Sequence, residues 1–295
     1  MKVLLATDGS SFAEEATWLL AHLPHAAPLE LTVLSVVQVP FVPSARASQS
    51  WMAECVESEK SFAKRTFDEV RRMFEGADVT LRHEIREGHL GETIVETARD
   101  DGAQLIVLGA KGHSTVDRIL LGSTSDYVAT HAPCSVMVVR PTGLRSHPER
   151  PLHVTFAYDD SPPSRAAIDE IREFRWGGQT TFEVVSVVSF ISAFMNEVVI
   201  EPNEVKDEAT RAITAAAGRL ADVAPNARSL LIESDHVAEG IVHHAENEGC
   251  DLVVVGDTGH GGLAKALLGS VSRYVLRHVP CSVWISRRAT ADSKK

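Results

Sequence analysis

One segment of this chain is written twice. LGAKGHSTVDRILLGSTSDYVATHAPCSV runs from Leu108 to Val136, and VGDTGHGGLAKALLGSVSRYVLRHVPCSV runs from Val255 to Val283. Overlaid at a shift of 147, Leu105–Arg140 and Leu252–Arg287 agree at 18 of 36 positions without a gap. The openings correspond as well: LLATDGSSFAEEA is similar to TFAYDDSPPSRAA, which lays Asp8 on Asp159 and Ser10 on Ser161. A repeat of this length implies two homologous domains, each long enough to bury its own core. The expected domains are residues 1–143 and 150–288. Between them PTGLRSHPERP, residues 141–151, replaces apolar periodicity with Pro, Gly and charge.

Within each half, apolar runs alternate with amphipathic stretches. In the first, KVLLAT is followed by SFAEEATWLLAHL, then by LELTVLSVV and a helix-like segment near residues 58–76. VTLRHEIR, LGETIVETARD, QLIVLG, STSDYVATH and SVMVVR complete the series, and the second half repeats the order. Strand-like runs without polar alternation suit a parallel sheet covered by helices on both faces. The fold class is therefore α/β: two tandem, doubly wound, mainly parallel five-stranded sheets flanked by helices. Ligands of such sheets bind beyond the carboxyl ends of the strands, where strand order reverses.

Composition narrows the function. A net charge of −11 argues against nucleic acid, whose phosphates are met by clustered Lys and Arg. No apolar run approaches the roughly 20 residues of a membrane span. The opening MKVLLATDGS turns polar too soon for a signal peptide and reads as a buried strand. Four cysteines, Cys55, Cys134, Cys250 and Cys281, form no C-x-x-C pair, which disfavours a disulfide framework or zinc site. Cys134 and Cys281 each follow Pro at the mouth of an apolar strand, where a small thiol packs well. The expected location is cytoplasmic.

The repeated segment carries the chemistry. Gly109 ends a strand, Gly112 follows, and Gly122 with Ser123 opens a helix. Gly256, Gly259, Gly269 and Ser270 repeat the spacing. Glycine lets the backbone approach a ligand closely, and consecutive N–H groups in such a loop converge on an anion. The first amides of a helix lack internal partners, and the helix dipole favours negative charge there. A polyphosphate fits this pattern, although a strand-to-helix turn also uses Gly and Ser for purely structural reasons. No Lys follows Gly122 or Gly269, so this is not a P-loop.

The spacing G-x2-G-x9-G-[ST], behind a first strand ending in Asp and ahead of the PCSV strand, resembles the ATP-binding branch of the universal stress protein family. The resemblance covers both halves. It implies an adenine-nucleotide alpha hydrolase-like fold and one ATP site per half. In the first site it places Asp8 and Val36 near adenine and ribose, and Gly109, Gly112, Gly122, Ser123 and Thr124 around the phosphates. In the second it places Asp159, Val187, Gly256, Gly259, Gly269, Ser270 and Val271 likewise. Helix capping explains Asp8 equally well.

The halves also differ. Lys111 lies in the first loop, where the second has Asp257 and Thr258, and Gly88 and Gly9 are replaced by Asp235 and Asp160. Added bulk and negative charge near a triphosphate weaken binding, so the first site is expected to be the tighter. His113 and His260 follow the second motif glycine and read as surface residues. His131 and His278 fall at a helix end, where partial positive charge is welcome.

No catalytic residues or metal ligands stand out. Magnesium or manganese would arrive with the triphosphate, and slow ATP hydrolysis is the most that is expected. The leading expectation is a nucleotide-dependent regulatory module in stress signalling with an unknown protein partner. Its movable element is residues 38–57. The alternative is a scaffold or dimerisation module with empty clefts, in which the closing strands pair within the chain or in a homodimer.

Overall fold

Five-residue apolar runs have no polar face to offer water, and they form strands buried along their length. In the computed structural model, which describes residues 1–38, 49–112, 121–189, 202–259 and 268–287, β1 (Lys2–Ala6), β4 (Leu105–Gly109) and β5 (Ser135–Val139) are buried at nearly every position. The longer β2 (Leu29–Val37) lies beside β1, and β3 (Val79–Glu87), with its alternating exposure, takes the edge. The first unit runs β3-β2-β1-β4-β5 with parallel neighbours throughout. Its helices are α1 (Ser11–His22), α2 (Gln49–Met73), α3 (Leu90–Asp101) and α4 (Ser123–His131). The chain leaves β1 toward β2 and later returns to β4 on the other side. A crevice therefore opens beyond Ala6 and Gly109.

The second unit repeats this plan with β6 (His153–Ala157), β7 (Thr181–Val188), β8 (Arg228–Glu233), β9 (Leu252–Gly256) and β10 (Ser282–Ser286). Its order is β8-β7-β6-β9-β10, again all parallel. The helices are α5 (Pro162–Ile171), α6 (Pro202–Leu220), α7 (Val237–Asn247) and α8 (Ser270–His278). Apart from Leu23–Ala26, which group with the second unit, packing ends the first unit of the described chain at Val139 and begins the second at Arg140. Ahead of β6, the Arg150 guanidinium grips both oxygens of Asp251, which is 2% exposed. A carboxylate so buried needs such a partner.

Local chemistry explains the helix starts. Ser10 Oγ accepts the Ala13 N–H at 3.3 Å, and Ser161 Oγ accepts the Ser164 N–H at 3.4 Å with Pro162 in the first turn. At the far ends of α4 and α8, His131 and His278 each pair Nδ1 with the carbonyl four residues back at 2.8 Å. Each ring also stacks on a tyrosine, Tyr127 or Tyr274, so these histidines are structural. Cys134 and Cys281 are buried at their strand mouths. Helix α2 starts at Gln49, well before the expected residue 58. The last proline of the preceding segment is Pro43, and nothing after it breaks a helix.

Candidate functional site

In the first unit a cleft of about 770 Å³ opens where β1, β2 and β4 end. One wall is Thr7 and Asp8 with the β2 stretch Leu34–Gln38. Helix α2 supplies Glu59, Phe62, Ala63 and Thr66, and α3 supplies Leu90 and Ile94. The floor at the other end is Gly109, Lys111, Gly112 and the opening turn of α4, Gly122–Ser125. All seven first-half residues singled out from the sequence, Asp8, Val36, Gly109, Gly112, Gly122, Ser123 and Thr124, border this one space.

Their roles are not alike. Asp8 Oδ1 accepts the Ser10 N–H at 3.0 Å, while Ser10 itself caps α1. Asp8 is thus an orienting turn residue whose second oxygen faces the loop: a Cβ on Gly112 would come within 2.5 Å of Oδ2. Gly122 is the cap residue of α4, with no side-chain hydrogen bond to the helix start. Its own N–H donates to Ala110 O at 2.8 Å. Ser125 Oγ donates to Ala110 O at 2.7 Å, which ties the loop to the helix. Ser123 is exposed and Thr124 half-buried at the mouth. The first-turn amides of α4 therefore lie at a concave polar floor, and among the described residues no side chain caps them. Gly109 does something else: a Cβ there would meet the Phe12 backbone at 2.7 Å, so this glycine lets α1 pack on β4.

In the second unit Asp159 follows β6, Val187 lies in β7, Gly256 ends β9 with Gly259 just beyond it, and Gly269 precedes Ser270 and Val271 at the start of α8. Asp159 Oδ1 accepts the Ser161 N–H at 3.0 Å, and a Cβ on Gly259 would meet Asp159 Oδ2 at 3.1 Å. Gly269 caps α8 without a side-chain hydrogen bond and donates its N–H to Asp257 O at 2.7 Å. Gly256 is packed against Pro163 and Ser164 of α5. Val187 packs on α7, where a Cβ on Gly240 would lie 2.8 Å from its Cγ1.

Other positions diverge. Tyr158 stands where the first unit has Thr7, and it is 5% exposed. Its hydroxyl donates to Asp160 Oδ1 at 2.7 Å, and burial first, then this bond, pushes its pKa well up. Asp160, at φ 58, holds the turn that Gly9 makes at φ 71, and its carboxylate lies 3.5 Å from Arg165. Ile213 stands for Ala63 and Ala216 for Thr66 when the buried positions of α6 and α2 are aligned. Asp257 is partly offset by Arg287 Nε at 3.8 Å.

Sequence reading missed the α2 and α3 walls, because neither helix carries a spacing that marks a ligand. His113, His260 and residues 39–48 of the 38–57 element lie outside the described residues, while 49–57 of that element form the start of α2.

A second titratable cluster sits at the opposite ends of the second unit's strands. His153 Nε2 and His244 Nε2 both meet Glu183 Oε2, at 3.1 and 2.9 Å. These two bonds hold the Glu183 carboxyl down at about 2. His153 is raised to about 10 by its bonds to Cys250 and then Glu183. Among the described residues no group of three or more His, Cys, Asp or Glu is arranged to hold a metal ion, and no helix is long and apolar enough to cross a membrane.

Comparison with known proteins accords with this architecture. A universal stress protein of Mycolicibacterium smegmatis is 27% identical over 295 residues, covering 97% of this chain and 96% of that protein. One from Methanocaldococcus jannaschii is 34% identical over 142 residues, which is 47% of this chain and 81% of its own length. The crystal structure of a universal stress protein from Archaeoglobus fulgidus shares the fold, with a TM-score of 0.65 at 19% identity over 97% of this chain and 98% of that one. The sequence model of the universal stress protein family matches twice, over residues 1–140 and 152–287. With two family domains in tandem, the chain belongs to the universal stress protein family.

Proposed function

We propose that this protein is a nucleotide-dependent regulatory module of the stress response, and that its first cleft binds ATP. The observation that carries the reading is the α4 start. Gly122 caps the helix with no side-chain bond, so the first amides are left for an outside acceptor. Lys111 and Gly112 border the same floor. Phosphates would lie there, with a magnesium or manganese ion accompanying them, and the base would lie toward Asp8 and the β2 backbone at Val36. Occupancy acts as a signal only through different affinities for two conformations or partner states.

The second unit favours another reading for its own half. Tyr158, Asp160 and Ile213 occupy the places of Thr7, Gly9 and Ala63, and Asp257 replaces a neutral loop position. This half is the weaker nucleotide site and serves as scaffold. Heat-denaturing the purified protein and separating what it releases tests the proposal. Released ATP, or ATP uptake into the first cleft, supports it. No nucleotide released and none bound at millimolar ATP leaves the scaffold reading for both halves. Released ADP with measurable turnover makes the protein an ATPase.

A further inference from the structure

Phe62 is a large apolar side chain in an unexpected place. It is 39% exposed on α2, beside a cleft whose floor is polar. Its position is also built in. A Cβ on Gly9 would lie 2.7 Å from Phe62 Cζ and 2.9 Å from Cε1. The ring edge therefore lies close against the Gly9 backbone, in a turn whose φ of +71 favours glycine. Arg65 lies over the ring at 5.7 Å from its centroid, a cation on one aromatic face.

The internal repeat supplies the control. Three buried positions of α2, Ala63, Thr66 and Val70, and the buried Phe74 just after it match Ile213, Ala216, Leu220 and Ala224 in the second unit at a constant shift of 150. That register lays Phe62 on Ala212. Gly9 is replaced by Asp160 in the same comparison. The two positions change together: where the turn carries a side chain, the aromatic ring is gone. Packing of α2 alone does not require this pairing, because α6 keeps its buried face without it.

Placement decides what the ring meets. Asp8 touches the glycine loop through Gly112, and the next residue, Gly9, touches Phe62. Phe62 and the glycine loop thus meet neighbouring residues of one turn, Gly9 and Asp8, and Phe62 borders the same cleft as the Leu34–Gln38 stretch at the end of β2. We propose that Phe62 is the stacking platform for the nucleobase in the first cleft, and that it makes this cleft selective for nucleoside triphosphates over bare polyphosphates. The inference rests on the nucleotide reading above and adds the residue that recognises the base. Aromatic faces stack on any base, so the platform favours nucleotides as a class and purines through their larger rings.

The test measures dissociation constants for ATP and for inorganic tripolyphosphate with wild-type protein, Phe62→Ala, Phe62→Leu and Phe62→Tyr. Wild type is expected to bind ATP more tightly than tripolyphosphate. Phe62→Ala is expected to weaken ATP about ten- to a hundredfold and leave tripolyphosphate unchanged. Phe62→Leu, which keeps bulk without a π face, should behave like the alanine variant, and Phe62→Tyr should retain binding. Equal loss of both ligands would make Phe62 a support of the fold and overturn the platform, as would unchanged ATP affinity in Phe62→Ala. If wild type binds tripolyphosphate but prefers it to ATP, base recognition is wrong while the anion floor stands. If it binds neither, the nucleotide reading falls as well.

Discussion

Replacing Gly122 with valine separates ligand binding from folding. The φ of Gly122 is −69, ordinary for any residue. A Cβ there would find Ala110 O at 3.1 Å, Ser125 Oγ at 3.4 Å and Lys111 Cα at 3.5 Å. The neighbours must give by tenths of an ångström, a folding cost of about 1 kcal/mol. The branched methyls then cover amides that are bare in the native turn. Each charge-assisted hydrogen bond to a phosphate contributes about 1.5–3 kcal/mol, and 1.4 kcal/mol is about tenfold in affinity. Loss of one such bond predicts about a ten- to hundredfold weaker ATP complex. Equilibrium dialysis with labelled ATP reads the affinity, and thermal melting by circular dichroism confirms the fold. Gly269→Val is the matched control, since its Cβ is crowded similarly by Asp257 O at 3.1 Å and Thr258 Cα at 3.2 Å. It should leave first-cleft binding intact. ATP affinity within twofold of wild type in a folded Gly122→Val protein would refute the idea that these amides hold the phosphates.

Gly109→Ala should destabilise the first unit by about 2–4 kcal/mol through its clash with the Phe12 backbone. Denaturant unfolding reads this, and a stable protein with lost ATP binding would instead make Gly109 a ligand residue. Lys111→Met removes a cation from the cleft floor. It should weaken ATP about tenfold, by an order of 1 kcal/mol, with a flatter salt dependence of the dissociation constant. The Glu183 cluster predicts a pH profile for the second unit. Glu183, held at about 2 against an ordinary 4.5, contributes stability that is full above pH 4.5 and lost as pH falls toward 2. His153, held at about 10 against 6.5, contributes stability that is full below pH 6.5 and lost as pH rises through 10. Melting followed by Trp176 and Trp284 fluorescence should therefore peak between pH 4.5 and 6.5. Glu183→Gln should lower the maximum by an order of 3 kcal/mol and flatten the profile.

Much of this molecule was legible because its signals are local. Strand β2 and helix α4 coincide with the apolar run LELTVLSVV and the stretch STSDYVATH that follows Gly122, since period and helix-start signals are written in neighbouring residues. The cleft floor was legible because its glycines sit in one segment, and the repeat doubled the signal. What stayed hidden depends on contacts across the fold. Gly109 looks like a phosphate glycine until the Phe12 backbone is seen against it. Phe62 reads as one apolar residue of an amphipathic helix, and only the Gly9 turn beneath it gives it a role. Glu183 and His244 are 61 residues apart, and no spacing rule joins them. The early start of α2 was missed because no breaker marks it: after Pro43 the chain runs into helix formers such as Met52, Ala53 and Glu54 with no stop signal.

The most direct test counts nucleotides. Native mass spectrometry of the chain, stripped of small molecules and titrated with ATP, should show the singly bound species filling first. Gly122→Val should remove that species and Gly269→Val should leave it. A second ATP should add only at much higher concentration. Two ATP molecules adding with equal affinity would contradict the asymmetry between the clefts. No ATP adding at millimolar supply would contradict nucleotide binding itself.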